Sequence, residues 1–168
     1  MSTVGLKKAG LLPLLAVISV LACYVYGFVA EKRHLKNGMT ACFPDTGIPE
    51  VISRDPVKFP EGKYYVIVEK AKGWGGPAVV ATKIDSAGII NEVKVISHME
   101  TPAFFQALLR EEFFHQFSGM DAAGDFSCDE DIDCVSGATI SSVGFTNAIR
   151  ESGHYFARAQ LGMVFETP

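Results

Sequence analysis

The chain opens on an apolar run. Ala9 to Ala30 carries no charge over 22 residues. At ~1.5 Å per residue a helix of that length spans roughly 33 Å, enough to cross a bilayer core. Pro13 falls near the start of the run, where it costs little, and Tyr24 and Tyr26 stand near its far end, where interfacial aromatics sit. Lys7 and Lys8 precede the run; Glu31, Lys32, Arg33, His34 and Lys36 follow it. Two other readings share this outline. A cleaved signal peptide also begins with Lys-Lys and an apolar stretch, but this run is long for that purpose. Val20-Leu21-Ala22-Cys23 loosely matches a lipidation box, but Leu21 fits poorly and the chain stays apolar after the cysteine. Residues 1–30 therefore read as a retained, single-pass membrane anchor in contact with the lipid bilayer.

Beyond it the pattern changes twice. Residues 31–62 hold Pro44, Pro49, Pro56 and Pro60 with Gly38, Gly47 and Gly62, a composition that predicts a linker. From residue 63 to 168 the pattern is that of a small folded domain. Lys63–Glu69, Ala78–Ile84 and Ile89–Ser97 are rich in Val, Ile and Tyr and read as strands. Asp85-Ser86-Ala87-Gly88 predicts a hairpin turn between the last two. A helix is expected over Val143–Gln160, whose apolar residues share one broad face. The expected class is α+β: an N-terminal transmembrane helix followed by a small antiparallel sheet with two helices packed on it.

Composition narrows the function. The 168 residues are 48% hydrophobic with a net charge of −4, and no basic cluster suggests nucleic acid. Asp121, Asp125, Asp129, Glu130, Asp131 and Asp133 crowd one segment, which reads as a solvated loop, with a docking patch or a transient divalent-ion site as the alternative. Cys128 and Cys134 are six apart: either a disulfide, if the domain matures in an oxidising compartment, or two free thiols. Neither Cys/His spacing for a metal nor a G-x-G-x-x-G loop after a strand is present.

The chemistry concentrates in Asp133-Cys134-Val135-Ser136-Gly137-Ala138-Thr139-Ile140-Ser141-Ser142. Gly137 and Ala138 are small enough for a bulky ligand to approach the backbone. The hydroxyls of Ser136, Thr139, Ser141 and Ser142 are suited to a helix start. Free N–H groups there, with the positive end of the helix dipole, make a natural phosphate site. The bland alternative is a Ser/Thr-rich helix cap with no ligand.

The segment D-x-x-S-G-A-T resembles the flavinylation motif of the FMN-binding domain family, which includes the G subunit of Rnf-type complexes and the C subunit of the sodium-translocating NADH:quinone reductase. The resemblance runs in order over about 65 to 155, through Gly73-Trp74-Gly75-Gly76-Pro77 and Ser97-His98-Met99-Glu100-Thr101-Pro102, and it implies a helix and a phenylalanine-rich turn over 104–118. It implies FMN joined by its phosphate to Thr139 in a phosphoester, with Asp133 recognised by a flavin transferase. Ser136, Gly137, Ala138, Ser141 and Ser142 are then candidate contacts to the phosphate. His98, Glu100, Thr101, Trp74, Gly76 and Pro77 are candidates beside the isoalloxazine ring. Glu100 reads equally as an exposed carboxylate at a helix start, His98 as a surface or packing histidine, and Trp74 as core. Where many relatives follow E-T-P with G-L-G, this chain has Ala103-Phe104-Phe105, an apolar wall or a ring held differently.

Flanking charge nearly ties the positive-inside rule; the resemblance puts the flavin domain on the extracytoplasmic side of the cell membrane. The function so implied is an electron carrier, partnered by other subunits of a membrane redox complex. A free-standing extracytoplasmic flavin reductase, and a non-redox structural subunit retaining the fold, are the alternatives.

Overall fold

The computed structural model describes residues 11–43, 57–58 and 64–165. Helix α1 (Leu11–Cys42) is followed by strands β1 (Val57–Lys58), β2 (Tyr64–Lys72), β3 (Pro77–Asp85) and β4 (Ile90–His98). Then come α2 (Pro102–Arg110), a 3-10 turn (Phe113–Phe117), α3 (Thr139–Phe156) and a π turn (Ala157–Leu161). The chain divides into two units, Met1–Asn37 and Gly38–Pro168.

The described part of the first unit, from Leu11 onward, is helix. From Leu14 onward its large apolar side chains are exposed, and the segment Leu14–Cys42 has a mean hydropathy of 2.0 in its apolar window. It is long and apolar enough to cross a membrane. The helix does not stop where the linker was expected to begin. Residues 31–42, expected as linker, are helical; the remainder of that stretch lies outside the described residues except β1. The reason lies at Gly38. It weakens a helix by propensity, but here a Cβ would overlap the Ile96 side chain. A tertiary contact therefore selects glycine where a sequence pattern suggests a break.

The second unit is built on a four-stranded antiparallel meander in the order β1-β2-β3-β4. The predicted turn is present: Asp85 Oδ1 accepts the N–H groups of Ala87 and Ile89 at 2.9 and 3.0 Å, and Gly88 takes a φ of 92°. Both faces of the sheet are covered, so β2 and β3 are buried at nearly consecutive positions. On one face Tyr65, Ile67, Val80 and Ile84 meet Phe145, Ile149 and Phe156 of α3 and the aromatic cluster of Phe113, Phe117 and Phe126. On the other, Val66 and Ala81 are capped by Met39 and Phe43 from the end of α1. The class is α+β, as expected.

α3 lies so close to its surroundings that two of its residues must be glycine. A Cβ at Gly144 would strike the Lys72 carbonyl, and one at Gly153 the Ala122 carbonyl. Alanine gains about 1 kcal/mol over glycine in an unencumbered helix; overpacking against backbone costs about 1–3 kcal/mol. Gly153→Ala is expected to lower stability by about 1 kcal/mol net, read from urea unfolding. A stabilised variant would show that α3 has room to move off the 122 loop.

Candidate functional site at the start of helix α3

Thr139 is the first residue of α3 and is exposed, as are Ser136, Gly137 and Ile140. The cap position falls on Ala138, whose methyl cannot accept a hydrogen bond, and no side chain caps the helix. The first N–H groups of a helix have no partner within it. Gly137 makes this entry possible with a φ of 80° and open space where a side chain would be. The four hydroxyls grouped in the sequence thus divide. Ser136 and Thr139 face solvent, whereas Ser141 and Ser142 are buried and spent on internal bonds. Ser142 Oγ accepts from the Val135 N–H and donates to the Ala138 carbonyl, both at 3.1 Å, which fixes the turn leading into the helix.

Ser141 belongs to a second network, centred on Glu100. That carboxylate is 4% exposed. Its Oε1 accepts from the Gly75 N–H at 2.6 Å and the Thr101 N–H at 2.8 Å, and its Oε2 accepts from Ser141 Oγ–H at 2.7 Å. Ser141 Oγ also receives the Trp74 N–H at 3.4 Å. One carboxylate therefore joins three parts of the chain: the 73–76 loop, the start of α2, and the first turn of α3. The loop is glycine-rich for the same reason. A Cβ at Gly73 would overlap Glu100 Oε2, and one at Gly75 would lie 2.8 Å from Oε1 and 2.9 Å from the Met99 carbonyl. Gly73 N–H bonds the Gly76 carbonyl at 3.1 Å to close the turn, and Gly76 holds a φ of 147° directly before Pro77 opens β3. Gly76 and Pro77 shape this turn and do not line the cleft.

Between loop and helix lies a cleft of about 300 Å³ lined by Trp74, Phe104 and the run from Gly137 to Ser141. Trp74 is 64% exposed there, so it is not core. The two phenylalanines after Ala103 have different roles. Phe104 lines the cleft, while Phe105 packs inward, with the His98 ring stacked on it at 3.6 Å. His98 is exposed at the end of β4 and is absent from the cleft lining. Thr101 is the cap residue of α2; its carbonyl accepts from the Phe104 and Phe105 N–H groups. Glu100 is not the exposed carboxylate that a helix-start position suggests. Ile140, 56% exposed on the cleft wall, carries no signal that marks it in the sequence. Two other depressions, of about 760 and 830 Å³, are larger, but neither contains Thr139.

Residues 73–152 match the FMN-binding domain family. Over that stretch the chain is similar to the family. It is 28% identical over 93 residues to the G subunit of the proton-translocating ferredoxin:NAD(+) oxidoreductase complex of Clostridium ljungdahlii. The match covers 52% of this chain, and the chain spans about half, 50%, of that relative's length. A solved structure, NqrC of Shewanella oneidensis, superimposes with a TM-score of 0.49 at 20% identity, covering 64% of this chain and 58% of the other.

Within the matched stretch the segment before the helix is held from several sides. Gln116 makes two bonds with the backbone of Asp133: its Oε1 accepts the Asp133 N–H at 2.8 Å and its Nε2 donates to the Asp133 carbonyl at 3.1 Å. The Asp133 side chain is left at the surface. Cys134, the next residue, is disulfide-bonded to Cys128. Among the described residues no group of three His, Cys, Asp or Glu side chains could hold a metal ion, so the acidic residues of this loop form no such site. Closing so short a loop removes about 2 kcal/mol of chain entropy from the unfolded state. Replacing both cysteines by serine is expected to cost that amount, about 2 kcal/mol, in urea unfolding under non-reducing conditions.

Burial raises the Glu100 pKa, but the Ser141 hydroxyl and the Thr101, Gly75 and Trp74 N–H groups outweigh it and hold the carboxyl below its ordinary value. The unfolded chain therefore takes up this proton first on acidification. The stabilisation is complete above the ordinary glutamate range and fades as pH falls through that range toward the lowered folded value. Glu100→Gln should be about 1–2 kcal/mol less stable than wild type at pH 7, since charged acceptors form the stronger bonds. That gap should narrow below the ordinary glutamate range. Thermal unfolding of both proteins from pH 7 to 3 checks it; a gap constant with pH would mean that Glu100 is not held ionised by the fold.

Proposed function

We propose that this chain carries FMN joined through its phosphate to Thr139 Oγ, and that it relays electrons as a membrane-anchored subunit of a redox complex. One observation carries the reading. Thr139 of the D-x-x-S-G-A-T segment stands exposed at an uncapped helix N-terminus, beside a cleft with two aromatic walls. The residues fit the group. Unpaired N–H groups and the helix dipole favour a phosphate at this end, by about 0.3–1 kcal/mol for the dipole at an exposed site. Trp74 and Phe104 offer flat apolar faces to an aromatic ring. The exposure of Thr139 and of the Asp133 side chain suits a flavin transferase, which must reach both during maturation.

The flavin supplies one- and two-electron chemistry; the protein supplies attachment, orientation and electrostatics. Covalent attachment holds a soluble cofactor on a domain outside the cell, and the Cys128–Cys134 disulfide is compatible with an oxidising compartment. We therefore place the domain on the extracytoplasmic side, with α1 as its anchor in the bilayer. The Clostridium relative, by name one component of an oxidoreductase complex, supports other membrane subunits as electron donor and acceptor.

Thr139→Val should abolish the attachment and little else, because exposed substitutions change stability by about 0.5 kcal/mol or less. Wild type purified from its own membrane, or co-expressed with a flavin transferase, is expected to gain the mass of one FMN less one water on the peptide holding Thr139. The variant should show no gain and an unchanged circular dichroism spectrum. Flavin that stays with the valine variant through denaturation would overturn the assignment.

A further inference from the structure

We propose that Glu100 is a positioning residue that sets the reduction potential of the flavin from behind the cleft wall, without touching the ring. This rests on FMN occupying the cleft beside Thr139. Both carboxylate oxygens are already engaged: Oε1 by the Gly75 and Thr101 N–H groups, Oε2 by the Ser141 hydroxyl. A carboxylate so committed is not a free acceptor for the polar edge of a ring. Yet two residues of its network line the cleft itself. Ser141 is one; the other is Trp74, whose N–H is held by the same Ser141 Oγ. Glu100 therefore stands one residue behind the surface the ring would meet.

Two consequences follow from that placement. The first is geometric. The loop bearing Trp74 is fixed to the helix bearing Thr139 through one carboxylate and one hydroxyl, and the absence of side chains at Gly73 and Gly75 lets the loop backbone come that close to the carboxylate. The second is electrostatic. The direct partners of Glu100 are neutral, two peptide N–H groups and a hydroxyl, so its negative charge is solvated by the protein but not cancelled. In a buried setting that charge acts over a longer range than it would in water. Reduction of a flavin by two electrons and one proton, supplied in a titration by dithionite and solvent, adds one negative charge. A fixed carboxylate opposes that addition and lowers the potential.

Glutamine separates the two roles. Its carbonyl can accept from Gly75 and Thr101, and its amide can donate to Ser141 Oγ, so the wall is kept and the charge removed. Alanine removes both. The experiment uses the full chain co-expressed with a flavin transferase, with intact mass confirming one FMN. The potential is titrated with dithionite through redox mediators. Trp74, the only tryptophan, reports the loop in flavin-free protein through its emission maximum and acrylamide quenching. For Glu100→Gln the reduction equilibrium is expected to shift about tenfold toward the reduced form, about 30 mV for a two-electron couple, with Trp74 emission as in wild type. Glu100→Ala should alter Trp74 emission and quenching. Ser141→Ala, which keeps the carboxylate, should alter them too, and it supplies this readout if the alanine variant at 100 does not fold. A Glu100→Gln protein carrying FMN at the wild-type potential would overturn the electrostatic role; unchanged Trp74 signals in both alanine variants would overturn the positioning role. Wild type without the FMN mass would instead sink the attachment reading, while the Trp74 measurements would still decide the positioning role.

Discussion

The buried carboxylate of Glu100 is the interaction on which the site depends. Burying a charge is unfavourable unless its bonding capacity is filled, and here it is filled by groups from three separated stretches of chain. Each of those stretches gives up something to reach it. The 73–76 loop gives up side chains, since Gly73 and Gly75 have no space for a Cβ. The first turn of α3 gives up the Ser141 hydroxyl as a ligand contact. The start of α2 turns its first free N–H inward to the carboxylate. What lines the cleft besides Ser141 is a short list: Trp74, Phe104, Gly137, Ala138, Thr139 and Ile140. The cleft is what is left over once the carboxylate has been satisfied.

This explains why some of the site was legible in the sequence and some was not. Thr139 could be placed at a helix start because the features that put it there are local: small residues before it, hydroxyls around it, and an apolar helical pattern after it. The Asp85–Gly88 turn was legible for the same reason, since its bonds join residues at most four apart. Glu100 could be flagged but not placed. Its partners Gly75 and Ser141 are 25 and 41 residues away, and no local pattern separates a buried glutamate from one at an exposed helix start. The adjacent pair Phe104 and Phe105 shows the same limit at finer grain. Successive residues on a helix point about 100° apart, so one lines the cleft and the other carries His98 on its ring.

The end of α1 makes the point from the other direction. Proline and glycine composition marked residues 31–62 as irregular, and the helix nonetheless continues to Cys42. Propensity is a weak prior that packing overrides. Met39 and Phe43 bury themselves on the sheet face formed by Val66 and Ala81, and Gly38 is the residue that lets the helix backbone approach Ile96. The near-continuous burial along β2 and β3 is the trace this leaves in the strands: a sheet covered on one side would alternate.

The two faces of the sheet are consequently put to different uses. One receives α3 and the aromatic cluster, and so supports the helix whose first residue is Thr139. The other receives the last turn of α1. Because the site is built at the ends of elements, where loop 73–76 meets the first turn of α3, neither packed face has to open for a ligand to be reached. The clamps on the approach segment serve the same end. Gln116 holds the backbone of Asp133 and the disulfide holds Cys134, while Ser142 holds Val135. Three successive residues are thereby fixed, two by hydrogen bonds from side chains to the backbone and one by a disulfide, and the next accessible side chains are those of Ser136 and Thr139. The attachment proposed for Thr139 would use this combination: a free hydroxyl for a large reagent to reach, and a fixed backbone to hold a cofactor in one place.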